Sequence, residues 1–135
     1  MKTLLGALGA CVVLCLAAPA FAAADSAVCP NGVVANVRIS SIKTTGTRAG
    51  FDAAVRDHIK WYRDHGFTAN EQVVADVLDR NGDALSVSTK EVMTIHYNPP
   101  NVPSSQHNAA WDAFVAEYRA NSDIVAERTV CLPKR

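Results

Sequence analysis

Several signatures of chemistry are missing from these 135 residues. There is no surplus of positive charge: 13 Lys and Arg stand against 13 Asp and Glu, a formal net charge of zero. Without a basic field nothing neutralises a phosphate backbone, so nucleic acid is not an expected partner. No basic amphipathic helix points to a membrane surface. There is no Cys-x-x-Cys for thiol exchange, no Gly-x-Ser-x-Gly elbow and no His-Glu-x-x-His pair. No Gly-Lys-Ser/Thr completes a phosphate loop. No low-complexity stretch and no second domain interrupt the chain, and no cofactor is expected.

What is present begins at the N-terminus. Lys2 gives a positive start, residues Thr3 to Ala18 form an apolar run, and Pro19-Ala20-Phe21-Ala22 follows with small residues at the cleavage positions. This is the pattern of a secretory signal peptide over residues 1–22, cut after Ala22. Cys11 after Leu8-Gly9-Ala10 loosely resembles a lipidation site, but the apolar run continues beyond it. The run is shorter than the ~20 residues of a spanning helix, so no membrane anchor is expected after cleavage. The expected address is the periplasm or the exterior. Cleavage takes away two of the four cysteines. Cys29 and Cys131 remain, and an even pair in an oxidising compartment reads as a disulfide. The rest divides into a leader, residues 23–32, and one domain, residues 33–135.

Period-two alternation marks a first strand. Val33, Ala35, Val37 and Ile39 alternate with Val34, Asn36, Arg38 and Ser40. A helix follows from Phe51 to His65, with Phe51, Val55, His58 and Tyr62 on one stripe and Gly66 past its end. A second strand runs through Val73 to Leu78. Asn81-Gly82 centres a hairpin, and a third strand reaches from about Val87 to Tyr97. Proline stops it at Pro99, Pro100 and Pro103. Ser104 or Ser105 is the expected cap of a second helix, whose stripe is His107, Trp111, Phe114, Val115 and Tyr118. A last strand runs from Ile124 to Leu132. The order β-α-β-β-α-β predicts a ferredoxin-like α+β sandwich, a four-stranded antiparallel sheet in spatial order 4-1-3-2 with two helices on one face. In that fold the start of the first strand meets the end of the last, where Cys29 and Cys131 fall.

Through this element order, and the aromatic stripes Phe51, Tyr62, Trp111, Phe114 and Tyr118, the chain resembles the dimeric α/β-barrel superfamily. The resemblance covers Val33 to Leu132 and is topological; no catalytic motif carries over. It implies a homodimer built on paired sheets, and members include cofactor-independent monooxygenases. The sequence adds its own argument for a homodimer. The sheet face away from the helices is expected to carry Val34, Val74 and Leu78 among Asn36, Arg38 and Asp76, and an uncovered apolar face seeks a partner.

Four candidate sites compete with plainer roles. Asp79-Arg80-Asn81-Gly82-Asp83 mimics the start of a calcium loop, but Ala84 and Lys90 stand where Gly and Glu are needed. Arg48, beside Gly46 and Gly50 at a helix start, can hold an anion or simply follow a cap. His65, His96 and His107 fall at one end of the domain, as three imidazoles for a metal would. Against this, His96 has the strand parity of a residue turned away from the helices, and no metal is expected. His58 lies on the stripe that meets the sheet, either as a hydrogen-bonded core histidine or, with Tyr62, as a catalytic pair beside a pocket. Phe51, His58, Tyr62, Trp111, Phe114 and Tyr118 are the expected pocket lining. Two readings of function follow. One is an exported ligand-binding or accessory module holding a small apolar ligand; the other is a monooxygenase-like enzyme with its pocket between helices and sheet.

Overall fold

The computed structural model describes residues 28–134. The expected signal peptide, residues 1–22, and its expected cut after Ala22 lie outside the described residues. Four strands and two long helices follow in the expected order: β1 (Gly32–Ile42), α1 (Arg48–Asp64), β2 (Glu71–Asn81), β3 (Ala84–Tyr97), α2 (Ala109–Asn121) and β4 (Ser122–Pro133). The sheet order is β2-β3-β1-β4, with every neighbouring pair antiparallel. This is the ferredoxin-like α+β sandwich. The Cys29–Cys131 disulfide is present, its Cα atoms 5.7 Å apart, and it ties the segment before β1 to the end of β4.

The alternation in the strands holds, but the faces are reversed from expectation. Val92, Thr94 and His96 of β3 are buried, and Val92 packs on Phe51 and Val55 of α1. Asn36, Arg38 and Ser40 of β1 therefore face the helices, as do Gln72, Val74 and Asp76 of β2. His96 points toward the helices, not away. The opposite face carries Val33, Ala35, Val37 and Ile39 with Val73, Met93 and Ile95, since successive side chains alternate across a sheet. Leu78 sits on neither central face; it is 53% exposed, on the hairpin that extends past β1. The physical reason is the cavity described below. Polar side chains are tolerated beneath the helices because the helices do not close fully onto the sheet.

Two asparagines at the ends of α2 clamp it to α1. At its start Asn108, not Ser104 or Ser105, is the cap. Those serines form a short 3-10 turn, Ser104–Gln106, which leaves extended His107 outside the helix. Asn108 Oδ1 accepts from Trp111 N and from Trp61 Nε1 of α1, each at 3.0 Å. At the other end Asn121 Oδ1 accepts from Thr47 N at 2.9 Å, and Asn121 O accepts from Lys43 N at 2.9 Å. Gly46 lies so close to this asparagine that an added Cβ would stand 2.5 Å from Asn121 Cα. Backbone cannot yield as a flexible side chain can. Gly46→Ala is expected to destabilise the fold by about 1–3 kcal/mol, read as a lower urea midpoint; an unchanged midpoint would show that the approach is not needed.

The β2–β3 hairpin turns one residue later than Asn-Gly. Asn81 pairs with Ala84, so Gly82 and Asp83 form the turn, with Gly82 at φ 61°. That left-handed position is one that glycine adopts without strain.

Candidate functional site

A cavity of about 520 Å³ lies between the helix pair and the sheet. Its two walls differ in chemistry. The helix wall is aromatic, built from Phe51, His58 and Tyr62 of α1 and Trp111, Phe114 and Tyr118 of α2. The sheet floor is polar, with Asn36, Arg38 and Ser40 of β1, Gln72 of β2, and Thr94 and His96 of β3. Pro99 and Pro100, in the loop after β3, line it too. All six residues expected to line a pocket do line this one cavity.

His58 is the centre of the aromatic wall. It stacks on Phe114 at 4.5 Å between centroids and meets Tyr62, His96 and Tyr118 at 4.8, 5.7 and 5.9 Å. It is 7% exposed. Its Nδ1 is 3.5 Å from Tyr118 Oη. Gln72 Nε2 donates to the same oxygen at 3.2 Å. The phenol, accepting from the amide, keeps its own hydrogen; with that hydrogen directed at His58 Nδ1, the proton of the neutral imidazole sits on Nε2.

Burial pushes the His58 imidazole down to about 3, helped by His96 and by the Arg38 guanidinium. Burial likewise lowers His96 to about 4, with Arg38 and Arg63 adding to the effect. Tyr62 is raised to about 12 by burial, against the pull of Arg38. Near neutral pH the histidine and tyrosine rings of the site are therefore uncharged, and its charged side chains are Arg38, Arg119 and Asp123. A base this weak is poorly matched to proton abstraction at pH 7, which wants a pKa near the operating pH.

His96 is held from behind. Arg63 Nη1 donates to Asn70 Oδ1 at 2.7 Å, which turns the amide nitrogen of Asn70 toward His96 Nε2 at 2.9 Å. That nitrogen accepts, and its lone pair is committed.

Three buried polar atoms have no hydrogen-bond partner among the described residues: Arg38 Nε, His58 Nε2 and Gln72 Oε1. All three belong to residues that line the cavity. Buried polar atoms are ordinarily paired, so three orphans on residues lining one cavity set it apart as the candidate site.

The other candidates are occupied otherwise. His65 donates from Nδ1 to Trp61 O at 2.7 Å and stacks on Trp61, while His107 stacks on Trp111. The two histidines thus sit on different tryptophans. No group of three or more His, Cys, Asp or Glu among the described residues is placed to hold a metal. Arg48 pairs with Asp52 and Asp76 at 2.9 and 3.0 Å, and Thr47 Oγ1 caps the helix by accepting from Gly50 N.

Sequence periodicity does not mark the floor: Asn36, Arg38, Ser40, Gln72 and Thr94 lie on the less apolar parity of their strands, the side that alternation assigns to solvent. The signal that points to them is in the helices: stripes of His, Tyr and Trp leave more room and more polar edges than aliphatic stripes.

The fold and site define a class, an α+β sandwich with a polar-floored aromatic cavity under its helix pair. Comparison with protein-family models, with curated proteins and with solved structures finds no match for this chain.

Proposed function

We propose that this protein is an exported binding module that holds a small, largely apolar molecule in the cavity between its helices and its sheet. The observation that carries this is the set of three unpartnered buried polar atoms around a 520 Å³ space. Pockets of this size, mostly apolar with a few placed polar groups, are typical of small-ligand sites. The very weak basicity of His58 supports binding over proton-transfer catalysis. Export is supported by the apolar N-terminal run read from the sequence, and the disulfide is compatible with it.

The open face of the sheet supports a second copy as its partner. Val33, Val37, Ile39, Val73, Met93 and Ile95 share that face and are all part-exposed. A second copy facing this sheet would take these apolar side chains out of water.

Native mass spectrometry of the exported protein reads both proposals. A dimer mass with an additional organic mass, released on denaturation, is expected. A bare protein that also takes up no aromatic probe would sink the cavity reading, and a monomer at micromolar concentration would sink the dimer.

A further inference from the structure

We infer that the cavity selects an organic anion, a monocarboxylate with an apolar or aromatic body, over its neutral isosteres, with Arg38 and His58 as donors and Gln72 as the residue that sets the polarity of His58. The inference rests on the cavity reading proposed above and goes further by naming the charge of the guest.

The argument is an inventory of hydrogens. Arg38 Nε can only donate. It is buried and unpartnered, while Nη2 of the same guanidinium reaches outward to Glu127 at 2.9 Å. That carboxylate is 44% exposed, so water screens it and it leaves the inner edge of the arginine unsatisfied. His58 Nε2 is the second orphan, and the chain from Gln72 through Tyr118 makes it a donor as well. Two donors with no acceptor in the protein call for an acceptor on the guest. A carboxylate offers only acceptors, and charge-assisted hydrogen bonds are the stronger kind.

The remaining charges agree. Arg119 also lines the cavity, and Asp123, its acidic member, is tied to Lys43 at 3.1 Å. The orphan acceptor, Gln72 Oε1, is on β2, whose backbone lies two strand spacings, about 10 Å, from that of Arg38 on β1. On the helix wall His58 and Phe114 stack on each other 17° from parallel, while Trp111 and Tyr118 stand edge-on to them, so the body of the guest meets aromatic faces and edges.

Gln72 is a positioning residue here. Its amide nitrogen makes the phenol of Tyr118 an acceptor, which sends the phenolic hydrogen to His58 Nδ1. Glutamate in its place would accept from Tyr118, reverse the chain, and move the imidazole proton from Nε2 to Nδ1.

The probes are 2-naphthoate and its neutral isostere 2-naphthamide, titrated calorimetrically into the exported protein at pH 7. Binding of the acid is expected to be about ten- to a hundredfold tighter. Equal or tighter binding of the amide overturns the charge inference while leaving the cavity reading intact. Failure of both to bind counts against the cavity reading and this inference together. The second measurement needs no ligand. Nitrogen-15 spectra should show the His58 proton on Nε2 in the native protein and on Nδ1 in Gln72→Glu, with the preference for the acid reduced in that variant. A native His58 protonated on Nδ1 would overturn the role given to Gln72.

Discussion

Replacing Cys29 with serine is expected to lower the thermal midpoint by about 20 °C or more. The two cysteines are 102 residues apart. In the chain-entropy account, a cross-link closing about 100 residues removes ~4–5 kcal/mol of freedom from the unfolded state. One kcal/mol moves the midpoint of a domain this size by roughly 4–8 °C. The bond also has a packing role: Gly32 lies against it, with 2.8 and 2.9 Å from a hypothetical Cβ to the two sulfurs. Cys131→Ser should match Cys29→Ser, and the double variant should add little, because one cross-link is lost in all three. Thermal melts of the three proteins decide the matter. A Cys29→Ser midpoint equal to the wild type would show that the sandwich stands without its tie.

Acid is expected to weaken the fold well before the carboxylates titrate. His58 and His96 are held near 3 and 4 in the fold, against about 6.5 in an unfolded chain. Their folded values are depressed, so the unfolded state takes up protons first. Stability is complete above pH 6.5 and is lost as pH falls toward 4. Each histidine contributes a slope of about 1.4 kcal/mol per pH unit in that window. Together they remove about 3–4 kcal/mol between pH 7 and pH 5. Urea midpoints at the two pH values test this, and His58→Phe should roughly halve the difference. Equal midpoints at pH 7 and pH 5 would mean that the buried rings are protonated at no cost, and the description of the site as neutral would fail. The same sign bears on binding. His58 stays uncharged from neutral pH down through that window.

The division between sequence and structure follows the range of the interactions. Element order and the stripe Phe51-Val55-His58-Tyr62 are local matters, set by periodicity and turn residues, and β1 alternates as its residues say. The direction of that alternation is not local. Val33, Ala35, Val37 and Ile39 form the more apolar set, yet the side of the sheet on which the helices land was decided by packing that joins residues far apart. Val92 meets Phe51 and Val55, and Gln72 meets Tyr118. A one-residue change of parity turns a whole strand over, so this one decision moved Arg38 and His96 from the outer face to the floor of the cavity. The helix caps show the same thing on a smaller scale. Ser104 and Ser105 are good cap residues by type, but Asn108 wins because it serves Trp111 and Trp61 at once. By itself the sequence determined the fold and the aromatic half of the site. The polar half was decided only by tertiary structure, because a polar residue under a helix pair is stable only where a cavity leaves room for it.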